Sequence, residues 1–314
     1  MLRFIIRRLL LMLPVLFLVS ATVFSLILLL PGDPATAILG EEARPESVAL
    51  IKQELGLDQP IPVQYFNWLV KAVHGDLGHS IHTRQPVIEI IGQRIAPTIQ
   101  LAFFAVLISL IIAFVAGIIS ATRRNSPADV SASTLAFLGV SIPDFWLGMM
   151  LILIIAMRLR WLPPTGYVSP LTDLGMNLKM MILPSITLGA ASAAVLTRQI
   201  RSSLLDVLNQ PYILTARSKG LMERLVITRH ALKNALIPVV TIVGLQIGRL
   251  FGGALITEMI FSIPGIGRLA VESIFTKDFP VLQGVVLIMA LAALASNLVV
   301  DILYAYLDPR IKFS

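Results

Sequence analysis

The sequence predicts an all-α, polytopic membrane protein with about six transmembrane helices. Three observations carry this. Of 314 residues, 56% are hydrophobic and 14% charged, against roughly 25% charged in a soluble domain. Apolar runs near the ~20 residues needed to cross hydrocarbon recur at 9–30, 98–121, 133–157, 180–196, 235–259 and 281–306. The charges collect between these runs, as a bilayer requires, and are not spread over a soluble surface.

The first run follows Arg3, Arg7 and Arg8. It is longer than the ~7–15 residues of a signal-peptide core, so it reads as a retained span. The third run is interrupted at Ser141-Ile142-Pro143-Asp144, where proline removes a backbone donor and predicts a kink. The fourth is the shortest. Placing both termini in the cytoplasm puts fourteen Lys and Arg inside and ten outside, and half of the outer ten fall in one long loop that the charge rule discounts.

The organisation expected is a cytoplasmic end and first helix over 1–30, an extracytoplasmic insertion over 31–96, and a core of five further helices over 97–314. The insertion opens on Pro31-Gly32-Asp33-Pro34, a turn. Helical patterns follow at about 45–55 and 63–73. In the outer loop 261–280, Ile266, Leu269, Ala270 and Ile274 lie on one side of a short helix suited to the interface. Between the fourth and fifth runs lies a strongly basic inner loop, 198–234.

Several chemistries are excluded. There is no cysteine, hence no disulfide, thiol nucleophile or Cys-ligated zinc. No Walker-type G-x-x-x-x-G-K-[ST], G-x-S-x-G or H-E-x-x-H occurs. His74, His79 and His82 lie near Asp76, but their spacing fits no strong metal pattern and a polar loop explains them equally. The net charge of +7 follows membrane topology, and no nucleic-acid partner is expected.

Polar groups within spans are costly and invite a functional reading. Gln246, Arg249 and Glu258 in the fifth run would line a translocation pathway, or else bridge helices. Asp144, Asn297 and Asp301 are further intramembrane polar groups. Gly244, Gly248 and Gly252 form a small-residue stripe suited to close helix packing.

The basic loop is the most informative segment. Pro211 to Gly220 reads as a short helix with proline at its start and glycine at its end. A second helix can follow from Leu221 to Asn234 before Pro238 opens the fifth span. Positive-inside charge explains the Lys and Arg but not this helix–Gly–helix layout.

At this loop the chain resembles the membrane subunits of binding-protein-dependent ABC importers. Their general Glu-Ala-Ala-x-x-x-Gly pattern meets Leu214-Thr215-Ala216-Arg217-Ser218-Lys219-Gly220, where Ala216 and Gly220 fit and Leu214 replaces the acid. Thr215-Ala216-Arg217-Ser218-Lys219-Gly220 and Arg229-His230-Ala231-Leu232-Lys233-Asn234, with Pro238 beyond, resemble the dipeptide, oligopeptide, glutathione and nickel branch. Similar matches run along the chain, among them Pro31-Gly32-Asp33-Pro34, Leu55-Gly56-Leu57-Asp58-Gln59-Pro60, Gly75-Asp76-Leu77-Gly78-His79-Ser80, Pro264-Gly265-Ile266-Gly267-Arg268 and Leu307-Asp308-Pro309-Arg310. They favour the first of the branch's two permease subunits.

The resemblance implies a type I ABC importer transmembrane fold in the inner (plasma) membrane. It implies a homologous partner permease, two cytoplasmic ABC ATPases that carry the ATP and magnesium, an extracytoplasmic binding protein, and no cofactor or catalysis in this chain. Leu214 to Gly220 would couple to an ATPase; Gly75, Asp76, Gly78, Ser80, Pro264 and Gly265 would belong to the binding-protein docking surface. A stand-alone secondary transporter would need inverted repeats or a coupling-ion site, and a membrane-embedded enzyme a clustered nucleophile, base or metal set. The sequence displays none of these.

Overall fold

The computed structural model describes residues 2–29, 52 and 58–307. Its elements are α1 (Leu2–Leu29), α2 (Ile61–Val73), α3 (Val87–Thr122), α4 (Pro127–Ser141), α5 (Asp144–Arg158), α6 (Leu174–Leu208), α7 (Pro211–Ser218), α8 (Glu223–Ala235), α9 (Ile237–Ile260), α10 (Ile266–Phe275) and α11 (Phe279–Leu307). Among the described residues the only β pairing is an isolated bridge between His79 and Pro86. The expected turn at Pro31–Pro34, the helix at 45–55, the motif residues 55–57 and the tail from Asp308 lie outside the described residues.

Among the described residues α1, α3, α6 and α11 are each long and apolar enough to cross a membrane. Among the described residues α4–α5 passes as a pair bent by 108°, and α8 meets α9, whose 24 residues follow the apolar run 235–259, at 53°; counting α4–α5 and α9 as one span each brings the spans to six. The kink expected at Pro143 is therefore a full break. Ile142 and Pro143 are both extended, with ψ of 126° and 135°, because a residue before proline is driven out of the helical region. Asp144 opens α5 on the far side of the break.

The fourth span also differs from its apolar run. α6 has 35 residues, about 52 Å of helix. Arg198 ends the apolar run, but Ile200 and Leu204 continue the buried face, so the first part of the basic loop is helix.

Packing divides the chain into two compact units, one of residues up to Pro97 with Pro264–Leu294, the other of Thr98–Ile263 with the residues from Ala295. In the first, Leu77, Val87, Ile91, Val281 and Val285 form a core with Ile266, Leu269 and Ala270 of α10. The short helix expected in 261–280 thus forms and buries most of its apolar face, while Ile274 and Phe275 remain exposed.

The second unit is built along α6, which buries Leu183, Leu188, Leu196, Ile200 and Leu204. Glycines set its closest contact with α3: a Cβ on Gly189 would lie 2.7 Å from the Ala105 carbonyl oxygen, and one on Gly117 2.8 Å from the Ile200 side chain. The predicted glycine stripe is less uniform. A Cβ on Gly244 would meet Val300 at 2.7 Å, whereas Gly252 faces open space and Gly253 approaches Leu188 at 3.2 Å. Four-residue spacing drifts ~40° per step around an α-helix, so these glycines do not share one neighbour. The surroundings of Gly248 lie outside the described residues.

Gly189→Val should destabilise the full chain by about 3 kcal/mol, because the α3 backbone cannot yield as a side chain could. Gly252→Ala should be neutral within error. Thermal unfolding in detergent compares them, and equal stability would show that α3 and α6 are not in this contact.

Candidate functional site

The basic loop folds as a helical hairpin at the end of α6. α7 starts with Pro211 in its first turn and ends before Gly220, which is left-handed at φ +76°. Proline is pre-set for helix entry and glycine for the reversal that ends it. α8 then runs back, with π-helical hydrogen bonding over Val226–Ala231. Ile213 and Ala216 point inward, packing with Ala121, Leu204, Val226, Ala231 and Ala235.

The opposite face of α7 is open. Leu214, Thr215, Arg217, Ser218 and Lys219 are all exposed, and Leu214 keeps 57% of its surface. The predicted coupling set Leu214–Gly220 therefore has two parts: Ala216 anchors the helix and the rest present a surface. Two contacts brace the hairpin. Arg217 donates to both carboxylate oxygens of Glu223, at 3.1 and 2.6 Å, across the Gly220 turn. The guanidinium holds the Glu223 carboxyl below its ordinary range. Asn234 Nδ2 donates to the Tyr212 hydroxyl at 2.9 Å.

A buried ion pair beside the hairpin is absent from the sequence reading of sites. Asp129, 4% exposed, accepts from Arg201 Nε at 2.7 Å and from Nη2 at 2.8 Å. It also accepts from the Ser120 hydroxyl and from the Asn125 backbone N–H. The cluster joins the end of α3, the start of α4 and the end of α6. Ser126 caps α4 through the Asp129 N–H, with Pro127 following. That capping pattern was the available sequence signal; the partner Arg201, 72 positions away, was not.

The polar groups of the fifth span fall in different surroundings. Glu258 is fully buried and accepts from Thr98 Oγ1 at 2.6 Å, a contact between α9 and α3. Gln246 is half-buried, and the Arg249 side chain lies outside the described residues.

The turn between α2 and α3 is tightly organised. Gly75 and Gly78 are left-handed, at φ +85° and +81°, and Asp76 accepts from the Gly78 N–H at 2.9 Å. Ser80 is buried and donates to Asp278 at 2.5 Å; the Ile81 N–H reaches the other Asp278 oxygen at 3.2 Å. His82 bonds the Thr276 carbonyl at 2.7 Å and His74 that of Val70 at 2.8 Å. Of the proposed docking residues, Gly75 and Asp76 are exposed, Gly78 and Pro264 half-buried, and Ser80 and Gly265 buried. Gly265 immediately precedes α10 as its N-terminal cap residue. Asp278→Ala and Ser80→Ala should each cost about 2 kcal/mol, since the first strands the Ser80 hydroxyl and the Ile81 N–H and the second strands a buried carboxylate oxygen and the Thr83 N–H. Thermal unfolding of the full chain measures both; an unchanged stability in either variant would refute this bonding.

Broken and bent spans, a long α6 and a braced basic hairpin at its end make this a multi-pass membrane subunit. The fold is that of type I ABC importer permeases. A crystal structure of the inward-facing methionine ABC transporter MetNI matches with a TM-score of 0.59 at 14% identity, over 70% of this chain and 97% of that one. An amino acid ABC transporter matches at 0.52 and 16%, over 69% and 94%.

The chain belongs to the family described as binding-protein-dependent transport system inner membrane component. That family's model matches residues 113–313, and its N-terminal counterpart matches residues 1–102. It is 45% identical over 313 residues to the glutathione transport system permease protein GsiC of Escherichia coli. It is 44% identical over 333 aligned positions to the dipeptide transport system permease protein DppB of Alkalihalophilus pseudofirmus. Both alignments cover the whole of each chain. As a permease of this family it is a multi-pass inner-membrane protein that works with ATPase, binding-protein and permease partners.

Proposed function

We propose that this chain is the first permease subunit of an importer for dipeptides or short peptides such as glutathione, and that α7 is its coupling helix. The observation that carries this is the exposed Leu214–Thr215–Arg217–Ser218–Lys219 face, held on a buried anchor of Ile213 and Ala216 and braced by Arg217–Glu223. A coupling element must pass displacement without absorbing it, and a packed, cross-braced hairpin does so.

Both termini and the hairpin lie in the cytoplasm, where two ATPase subunits hold ATP and magnesium. α7 seats on one of them and the homologous permease offers its equivalent to the other. ATP binding draws the ATPases together, the hairpins follow, and the paired permeases switch between inward- and outward-open states. A loaded binding protein delivers substrate on the outer side near the Gly75–Gly78 turn. The substrate class follows from the similarity to the glutathione and dipeptide permeases.

Proteoliposomes holding the co-expressed subunits and the binding protein test this. Labelled dipeptide or glutathione should accumulate only with ATP and all subunits. Uptake by this chain alone, driven by an ion gradient, would overturn the reading.

A further inference from the structure

The π-helical stretch of α8 decides which of its residues face out. Val226, Ala231 and Ala235 are buried, at 0%, 0% and 2%. In an unbroken α-helix, at 100° per residue, Ala231 would lie about 140° from Val226 and Ala235 about 180°. They share the hairpin core because the turns over Val226–Ala231 close i→i+5, each taking up one residue more than an α-turn. Arg224, Arg229 and Lys233 each stand two positions before one of these buried residues, so they repeat the same five- and four-residue steps. A step of two residues is about 200° of an α-helix, which puts the three cations on the opposite side. All three are exposed.

No acid compensates this stripe. Among the described residues none of the three side chains has a hydrogen-bond or ion-pair partner. Glu223, the one acid in α8, is taken by Arg217. Thr228, which lies on the stripe, turns its hydroxyl back onto the Arg224 carbonyl at 2.8 Å. α7 packs on the buried side of α8 through Ile213 and Ala216, so the stripe faces away from it. Positive-inside charge is met by any arrangement of these residues. Their alignment in one row is what the π-helical register adds.

α8 is set obliquely at the edge of the bilayer. Its axis is bent by 53° from the first part of α9, the fifth span. The apolar run of that span begins at Ala235, directly after Lys233 and Asn234. With α9 along the membrane normal, the rise of 1.5 Å per residue along α8 becomes about 0.9 Å of depth. Lys233 is then about 2 Å beyond the hydrocarbon edge and Arg224 about 10 Å. The headgroup layer is roughly 5–8 Å thick on each side. Long basic side chains extend toward it along their apolar stems, so all three cations reach the same layer.

We infer that Arg224, Arg229 and Lys233 form a binding surface for anionic phospholipid headgroups in the leaflet where α9 begins. A phosphodiester offers oxygens that a guanidinium fork grips in pairs. A row of two arginines and a lysine selects lipids with a net negative headgroup, such as phosphatidylglycerol, over zwitterionic ones. The inference requires only that α9 spans the bilayer. It is independent of the coupling role of α7 and of what is transported.

The chain has no cysteine, so a fluorophore can be placed at Thr228→Cys, on the stripe, or at Thr215→Cys, on the exposed face of α7. The co-expressed complex, with any cysteines of the partner subunits replaced, is reconstituted in phosphatidylcholine vesicles. These contain phosphatidylglycerol or phosphatidylcholine with a nitroxide high on one acyl chain, at equal mole fraction. Quenching at Thr228 should be several-fold stronger with the phosphatidylglycerol, and added salt should weaken that preference. Arg224→Gln, Arg229→Gln and Lys233→Gln together should remove it. Their unfolding temperature in detergent should be unchanged, since none of the three has a partner to lose. Quenching at Thr215 should not distinguish the two lipids. Equal quenching by both lipids at Thr228, or a preference insensitive to salt or to the triple substitution, would overturn the inference. No quenching by either lipid would mean that an acidic protein surface covers the stripe, and would overturn it equally.

Discussion

Gly220→Pro is expected to abolish ATP-driven uptake while the subunits still assemble and the ATPases still hydrolyse ATP. Gly220 is left-handed at φ +76°, and proline is fixed near φ −65°. The substitution also removes the Gly220 N–H, which bonds the Arg217 carbonyl at 2.9 Å. Together these should cost the hairpin about 3 kcal/mol locally. The turn would open, and Arg217 would lose its register with Glu223. Gly220→Asn is the control: no atom lies within 4 Å of a Cβ there, and asparagine tolerates the left-handed region. It should keep most uptake. Ala216→Trp should resemble Gly220→Pro, because it forces a large ring into a position only 7% exposed beneath α7. Uptake and ATPase rates measured together in proteoliposomes separate uncoupling from loss of the complex. Normal uptake by Gly220→Pro would contradict a coupling role for this turn.

Arg201→Ala is expected to destabilise the chain by about 3 kcal/mol, the lower part of the range for breaking a buried ion pair. The Arg201 side chain is 31% exposed, which tempers the loss; Asp129, at 5%, is the group left without its counter-charge. Ser120 and the Asn125 N–H can still serve the carboxylate but bring no positive charge. Replacing both members, Asp129→Leu with Arg201→Leu, should recover much of the loss, because an apolar pair carries no desolvation penalty. Thermal unfolding in detergent gives the comparison. A double variant no more stable than Arg201→Ala would show that the charge on Asp129 is not the cause.

Much of this fold was legible in the sequence, because a bilayer imposes its length and polarity on the chain. The apolar runs located the spans, and Pro211 with Gly220 marked both ends of α7. Spacing alone placed Ile266, Leu269 and Ala270 on one face of α10. What stayed hidden depended on distant partners or on angle. Pro143 announced a break but not a 108° one. Arg201 looked like a loop charge because its ion pair with Asp129, 72 positions away, cannot be seen in the sequence. Ser80 was singled out by its motif, but its partner Asp278 is 198 positions away. Glu258 could be read from the sequence as lining a pathway or bridging helices, and its bond to Thr98, 160 positions away, is visible only in the structure. A coupling role for α7 is suggested by resemblance, yet which of its residues are presented depends on how Ile213 and Ala216 pack.

The most direct test of the coupling role uses single cysteines along α7 in the assembled importer. Cysteines at Leu214, Thr215 and Lys219, on the exposed face, should crosslink to a cysteine at the facing surface of the ATPase subunit, in a yield that changes when ATP is added. Cysteines at Ile213 and Ala216, which face the hairpin core, should not. Crosslinking with that periodicity is the predicted result. Failure of all three exposed positions, or equal yield from the buried pair, would contradict it.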